Sequence, residues 1–436
     1  MKKSLIALAA LAAVGAASAQ SSVTLYGLID VGYGSHETAT RDGSGKIKSS
    51  GVMDGANAGN RIGFRGTEDL GGGLKANFVI EQGLNITNGA LFTQRAGATG
   101  HQVDGFSAAG SAAALSGSAG AFTPATNRQS YLGLETAKMG SVRIGYQYTV
   151  LYELATLSGY AVGSEGVPGA DKGHLHSQGA VGGTRANMIQ YISPAFSGFT
   201  ASVQYGAGTG RESVESTTAG VNGLTADKAR RMGLMLKYAN GPISAAAAYT
   251  NMRLQSGNIV AGLQAPAGPA TSIFNVTGAA GTAAQTGLSR TATLFQLGGS
   301  YDFGVAKLAG TYNSGTNGGA ATAAAASAGV TALKSDYKAY QIGVTVPFGA
   351  IVPFVAYGRA TTDSNNAAGT GATATTAATK RTEDYKQAQF GVRYSLSKRT
   401  TAYAMYGRTT NDAAALAGST SYYKDSKTVV GVAHSF

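Results

Sequence analysis

The chain has no cysteine and no tryptophan, and only 8 of its 436 residues are proline. Without cysteine it can build neither a disulfide framework nor a thiolate metal site, so its stability has another source. Scarce proline leaves long stretches of backbone free to donate the hydrogen bonds of a sheet. These absences exclude a disulfide-rich secreted scaffold and favour a protein that is held together by backbone hydrogen bonds.

Long apolar runs are also missing from most of the chain. After residue 19, no uncharged apolar run reaches the roughly 18 residues that a membrane-spanning helix requires. Hydrophobic residues nevertheless make up 43% of the sequence, so they are dispersed among polar ones. A helical membrane anchor is therefore excluded in this part of the chain.

The beginning of the chain has the organisation of an export signal. Two lysines precede an apolar stretch over residues 5–17, and small residues at 17–19 form a cleavage site. The alternative, an anchoring helix over residues 5–17, is disfavoured because about 13 residues are too few to span a bilayer. We expect residues 1–19 to be a cleaved signal peptide and residues 20–436 to form one domain. Such a protein can be periplasmic, secreted or located in the outer membrane.

Glycine and tyrosine are abundant, with 64 and 22 residues. Tyrosine combines an apolar ring with a polar hydroxyl, which suits the two interfaces of a bilayer. At the end of the chain, every second residue from Thr428 to Phe436 shares one side, which is the period of a strand. We expect this strand to close a membrane β-barrel, with its aromatic terminus facing lipid or read by the barrel assembly machinery. The predicted C-terminal assembly signal is Val430, Val432, His434 and Phe436.

The same alternation recurs along the chain. Two segments of about ten residues flank a tight turn, and a long loop rich in small residues precedes the next pair. Tight turns are predicted after Glu68 and at 138–140, 194–197, 240–242, 302–304, 347–349 and 396–398. Long loops are predicted near 35–57, 87–126, 150–185, 208–229, 254–291, 314–335, 362–384 and 411–424. Seven turns and eight loops join sixteen strands, which predicts an all-β fold: a transmembrane antiparallel up-and-down β-barrel with a water-filled lumen.

Alternation also assigns side chains to the lumen. Because Ile62 and Phe64 are expected to face lipid, Arg61 and Arg65 are expected to face the interior. The predicted pore-lining residues are Arg61, Arg65, Lys75, Glu81, Arg143, Gln147, Arg231, Lys237, Lys307 and Arg393. The strand register stays open at 127–135, 351–359 and 401–408, where apolar residues fall in both phases.

The sequence resembles a known family, the general porins of Gram-negative β-proteobacteria. The resemblance is carried by the motifs Ser22–Gly27, Arg61–Ala76, Asn127–Leu134, Tyr191–Phe199 and Val430–Phe436, which span nearly the whole chain after residue 19. It implies a homotrimer of sixteen-stranded barrels in the outer membrane, with short periplasmic turns and long external loops. It also implies that the third long loop folds into the lumen and narrows the pore.

Some residues depart from the pattern of that family. Residues 93–126 look like an insertion that enlarges the second long loop, and Tyr146 stands where the family commonly has arginine. Arg143 supplies a cation three residues earlier. The expected charged residues of the constriction loop are Glu153, Glu165, Asp171 and Lys172.

A diffusion channel needs a charged lumen and no bond-making groups. Basic residues outnumber acidic ones among the lumen candidates, so we expect a mild anion preference for small ions and hydrophilic solutes. The alternative for any single candidate is a charge that is simply solvated on a wet surface.

Motifs for other chemistry are incomplete. His174 and His176 lack a third ligand, and the glycines between Leu70 and Leu74 lack the helix and Lys-Ser/Thr pair of a phosphate-binding loop. No Gly-x-Ser-x-Gly elbow is present. Basic residues are spread along the strands, which fits contacts with the lumen or with lipopolysaccharide better than nucleic-acid binding. We therefore expect no cofactor, no metal and no catalytic activity.

Three functions remain open. The leading hypothesis is a passive channel. The others are an outer-membrane enzyme on a smaller barrel, and a structural or adhesive outer-membrane barrel with little conductance.

Overall fold

The computed structural model describes residues 22–40, 46–84, 86–87, 128–157, 163–164, 185–209, 228–255, 289–320, 332–364, 381–411 and 422–436. The predicted signal peptide at 1–19 lies outside these residues. The strands are β1 Ser22–Thr40, β2 Lys46–Asp54, β3 Arg61–Gly71, β4 Leu74–Gly83, β5 Gln129–Thr136, β6 Gly140–Tyr148, β7 Arg185–Ile192, β8 Phe199–Thr209, β9 Lys228–Asn240, β10 Ile243–Gln255, β11 Ser289–Asp302, β12 Lys307–Ala320, β13 Ala332–Thr345, β14 Ile351–Ser364, β15 Arg381–Ser395, β16 Thr400–Asn411 and β17 Tyr422–Ser435. The helix α1 is Val150–Leu157.

These seventeen strand segments form a closed barrel of sixteen strands. Both β2 and β3 pair with β1, so they are two halves of one barrel strand that is interrupted at Gly55–Asn60. Every other strand pairs antiparallel with its neighbours in the chain, and β17 returns to pair with β1 over Leu28–Thr40. Closure leaves no strand edge without a partner, which a bilayer requires. The all-β fold and the sixteen strands predicted from sequence are confirmed.

The seven short connections occur where the sequence predicted them, after β3, β5, β7, β9, β11, β13 and β15. The first predicted long loop, 35–57, is wrong, because β1 runs to Thr40 and β2 starts at Lys46. Polar residues hold this extension together: Glu37 is 2.9 Å from Lys424 and 3.2 Å from Lys46. Such a segment lacks alternating apolar residues and therefore resembles a loop in sequence.

The outer face of the barrel is apolar and exposed. Leu132, Ile144 and Val355 on this face are 55–61% exposed, and a side chain that faces a bilayer is expected to be exposed in an isolated chain. Two sets of exposed aromatic residues flank this apolar band. Those near the short turns are Phe196, Phe199, Tyr301, Phe303, Phe348 and Tyr394. Those toward the long loops are Tyr205, Tyr249, Phe295, Tyr312, Tyr340 and Tyr357, which we call the upper girdle.

The inner face is mostly polar. Its fully buried side chains include Gln147, Gln190, Gln204, Gln296 and Gln389. The helix α1 is too short to cross a membrane, and no helix in the described residues is long and apolar enough to do so. Side chains that could bias ions therefore lie on the inner face and on the segments that fold into the lumen.

Candidate pore constriction

All ten lumen candidates named from the sequence have the strand phase of the inner face. The residues directly opposite them on neighbouring strands share this phase; for example, Arg143 of β6 lies opposite Gln190 of β7, and Lys237 of β9 lies opposite Ala246 of β10. They do not form one ring, because Lys75 and Lys307 lie beside the short turns whereas Arg61 lies at the far end of β3. Their phases are those expected from the sequence, and their effect on conduction stays a prediction. The full set is Arg61, Arg65, Lys75, Glu81, Arg143, Gln147, Arg231, Lys237, Lys307 and Arg393.

Strands β3 to β7 bring a group of arginines together around one acid. Glu81 Oε2 accepts a hydrogen bond of 3.1 Å from the Tyr26 hydroxyl and lies 3.9 Å from Arg61 Nε. Arg128 Nε donates to Glu81 Oε1, and Arg128 Nη2 donates to the Tyr148 hydroxyl at 2.9 Å. We call the five basic residues here the arginine wall: Arg61, Arg65, Arg128, Arg143 and Arg185.

Aromatic rings support three members of the arginine wall. A ring face attracts a guanidinium group and holds its plane without cancelling its charge. The wall therefore keeps its positive charge while its side chains stay oriented. The pairs are Arg65 over Tyr26 at 5.2 Å, Arg143 over Tyr131 at 5.1 Å and Arg185 over Tyr148 at 4.8 Å.

The third long loop turns inward immediately after β6. Thr149 precedes α1, and its hydroxyl accepts a hydrogen bond from Tyr152 N, which caps the helix. Leu154 is completely buried and packs with Ala246 and Ala248 on the inner face of β10. The other main contact of α1 is with β11. The inward fold of the third loop, which the family resemblance implied, is present.

Glu153 is the one predicted constriction-loop residue within the described residues; Glu165, Asp171 and Lys172 lie outside them. Gln190 Nε2 donates a 3.2 Å hydrogen bond to Glu153 Oε1. Burial raises the pKa of the Glu153 carboxyl, whereas this hydrogen bond and the charges of Arg143 and Lys237 act in the opposite direction. This acid is therefore easier to protonate than an ordinary surface glutamate.

The loop reaches the opposite wall at Gly163 and Ser164, which we call the loop tip. Arg393 Nη2 donates a 2.7 Å hydrogen bond to the Gly163 carbonyl, so this guanidinium is not free in the lumen. Gln389 bonds both backbone groups of Ser164: its Oε1 accepts from the amide at 2.6 Å, and its Nε2 donates to the carbonyl at 3.1 Å. The loop thus crosses from β6 to β15.

The interruption between β2 and β3 also folds into the lumen. We call Gly55–Asn60 the inward segment; its Ala56 is 1% exposed and packs with Phe354 and Tyr403 of the inner face. Asp30, fully buried in β1, accepts hydrogen bonds of 2.6 Å from the amides of Asn57 and Ala58. The third loop and the inward segment together narrow the space inside the barrel.

Sequence reasoning missed several residues of this region. Arg128 precedes β5, so strand alternation assigns it no face. Arg185 has the strand phase of the exposed residues Ile189 and Tyr191, so alternation alone would place it on the outer face. Asp30 was identifiable, because an acid in the middle of an apolar first strand requires a polar partner or a lumen. The inward segment had no sequence signature beyond its two glycines.

The described residues hold no group of three or more histidine, aspartate or glutamate side chains that could bind a metal ion. His174 and His176 lie outside the described residues. The arrangement of charges and aromatic rings suits ion passage.

A closed sixteen-stranded barrel with an apolar exterior, a charged lumen and an inward loop defines an outer-membrane channel. Comparison with known proteins agrees. A family model described as Gram-negative porin matches residues 7–414. An outer membrane porin protein of Bordetella pertussis is 31% identical over 335 residues, which cover 73% of this chain and 70% of that protein. Outer membrane porin protein 32 of Delftia acidovorans is 33% identical over 313 residues, covering 71% of this chain and 68% of that protein.

A solved structure described as the anion-selective porin from Comamonas acidovorans has a TM-score of 0.56 and 22% identity, covering 96% of this chain and 100% of that one. This likeness supports the fold. The chain belongs to the Gram-negative porin family. It is an outer-membrane channel for passive diffusion, and the family consists of channels rather than enzymes.

Proposed function

We propose that the channel passes small hydrophilic solutes and ions with a mild preference for anions. The observation that carries this proposal is the arginine wall, a group of five arginines of which two, Arg61 and Arg128, contact the acid Glu81. Glu81 is engaged by Arg128, Arg61 and Tyr26, so its charge is compensated locally. A narrow, low-dielectric passage strengthens the effect of the remaining positive charge on passing ions.

The third loop supports the same direction. Its described acid, Glu153, has a raised pKa and lies near Arg143 and Lys237. Glu81 and Glu153 therefore both lie beside positive charges, and neither offers an uncompensated carboxylate to a passing cation. The Comamonas porin is named for anion selectivity; for this chain the preference is argued from its own residues.

Planar-bilayer recording under a KCl gradient tests the proposal. We expect a reversal potential of the sign that anion preference gives, and we expect Arg65→Gln to move it toward zero because Arg65 is exposed on the inner face. Arg408→Gln removes the same charge from the outer face and serves as the control. A reversal potential of cation-selective sign in the unmodified protein would refute the preference.

We propose that three copies of the chain assemble into a trimer, as the family resemblance implies. The same recordings test it, because one insertion event should then close in three equal steps. Conductance close to zero would instead favour the alternative of a structural or adhesive barrel.

We further propose that residues 1–19 are a cleaved signal peptide, that residues 20–436 form the single barrel domain, and that the C-terminal residues Val430, Val432, His434 and Phe436 are read by the barrel assembly machinery. The terminal strand supports the last point, since Phe436 exchanges backbone hydrogen bonds of 3.1 and 3.2 Å with Gly27 at the barrel seam. N-terminal sequencing of the purified protein and loss of assembly in Phe436→Ala test these points.

Lipopolysaccharide is the proposed partner on the outer surface. Four exposed basic residues on β13 to β16 lie just beyond the upper girdle, on its long-loop side. Asp384 already pairs with Arg359 at 2.7 Å and lies 3.9 Å from Lys386, so one acid serves two of these cations. Phosphate groups of a lipid headgroup at this height would compensate the remaining positive charge. The amount of lipopolysaccharide that co-purifies with the protein should fall when two of these basic residues are replaced by neutral ones. They are Lys338, Arg359, Lys386 and Arg408.

A further inference from the structure

The inward segment 55–60 interrupts a strand of the barrel, and β2 and β3 pair with β1 on either side of it. Its end residues keep backbone hydrogen bonds to neighbouring strands, from Gly55 N to the Asp30 carbonyl at 3.0 Å and from Leu84 N to the Asn60 carbonyl at 3.1 Å, whereas residues 56–59 leave the ladder. An interruption of this kind gives up strand hydrogen bonds, so the structure must recover them elsewhere. Asp30 recovers two of them by accepting from the amides of Asn57 and Ala58.

Asp30 makes the inward segment a rigid platform. Its other carboxylate oxygen, Oδ1, accepts a hydrogen bond from the Tyr403 hydroxyl of β16. Asn60 adds a further link, because its Nδ2 donates to the Asp30 carbonyl at 3.1 Å. Ala56 fills the apolar space beside Phe354. The segment is thus fixed to the wall through both polar and apolar contacts.

The loop tip lies on this platform. The Ser164 hydroxyl donates to the Ala56 carbonyl, and the Ser164 side chain is almost fully buried. Arg393 bridges the two elements: its Nε donates to Asn57 Oδ1 at 2.9 Å and its Nη2 donates to the Gly163 carbonyl at 2.7 Å. The Phe354 ring supports the guanidinium at 4.3 Å.

We propose that the inward segment is a dock that holds the tip of the constriction loop, and that Arg393 and Gln389 are positioning residues for that tip. Two anchors then fix the loop: α1 on β10 and β11, and the loop tip on the inward segment and β15. Arg393 acts here by holding the loop in place, and not as a free charge that selects ions. The inference requires only the barrel and its inward loop, and it is independent of the proposed anion preference.

Thiol labelling tests the dock, because the chain has no cysteine of its own. Ser164→Cys in detergent-solubilised protein should react with an aqueous maleimide at least about tenfold more slowly than Met139→Cys, since a docked tip must open before it reacts. Met139 is 69% exposed at a short turn and gives the reference rate. Adding Asn57→Ala or Gln389→Ala to Ser164→Cys should raise its rate toward that reference.

Lys398→Met is the control, because it removes an exposed cation of the short turn after β15 that has no contact with the loop tip in the described residues. It should leave the labelling rate of Ser164→Cys unchanged. Heat-modifiable mobility on gels confirms that each variant is a folded barrel.

Channel recording gives a second measurement that needs no cysteine. Asn57→Ala and Gln389→Ala should show more frequent current fluctuations than the unmodified protein and Lys398→Met. If the Ser164→Cys substitution itself detaches the loop tip, this comparison of current fluctuations tests the dock in place of the labelling rates. The proposal is overturned if the Ser164→Cys variant reacts as fast as the Met139→Cys variant and the recordings of the dock variants match those of the unmodified protein.

Discussion

Adjacent side chains of β3 face two different environments, the lipid bilayer and the aqueous lumen. Ile62 and Phe64 lie on the outer face, whereas Arg61 and Arg65 lie on the inner face, and one of these arginines contacts Glu81. This assignment was predictable, because period-two alternation needs only the sequence. The partners of Arg128 were not predictable, since this residue stands before its strand and the direction of its side chain depends on tertiary contacts.

The two faces of β3 should tolerate charge differently. Ile62→Arg places a cation against hydrocarbon, at a cost of roughly 2–4 kcal/mol near the bilayer centre, and should reduce the yield of assembled barrel. Arg61→Ala should assemble normally and change conductance or selectivity. Gel mobility without boiling measures assembly. Equal assembly defects in the two variants would mean that the register is wrong by one residue.

At the scale of strands and loops, contacts between elements explain why the alternation rule was ambiguous in some segments. The register of 351–359 and 401–408 was open because apolar residues fall in both phases. The structure shows the reason: inner-face Phe354, Tyr403 and Met405 pack against the inward segment. Met235 and Ala248 are apolar inner-face residues for the same reason, because α1 covers them. Apolar residues in the inner phase therefore mark the places where other elements dock, which one sequence does not reveal.

The docking of α1 can be tested at its most buried position. Leu154→Asp places a carboxylate in the apolar contact with β10, which should release the helix from the wall and increase single-channel conductance. Thr156→Asp introduces the same group at an exposed position of the same helix and should leave conductance close to normal. Unchanged conductance in Leu154→Asp, with the barrel folded, would show that α1 does not narrow the pore.

At the scale of the whole molecule, the closed barrel provides both the stability of the protein and its channel. The continuous ladder from β1 through β17 satisfies the backbone within the bilayer, and it does so without cysteine. The number of strands was predictable from the turns and loops, because each hairpin repeats the same pattern. The bounds of two long loops were not predictable. Ion pairs of Glu37 extend the strands on either side of the first loop beyond the region of alternation, and β12 and β13 extend into the predicted loop 314–335, to Ala320 and from Ala332.

The central claim is that alternate side chains face lipid and water around one lumen. Single cysteines at six consecutive positions of β4, from Lys75 to Ile80, test it directly in a chain without native thiols. In reconstituted protein, cysteines at 75, 77 and 79 should react with a charged aqueous reagent. Those at 76, 78 and 80 should resist it and should be quenched by a bilayer-embedded quencher when labelled before reconstitution. Reactivity with a period near 3.6, or without any period, would contradict the account.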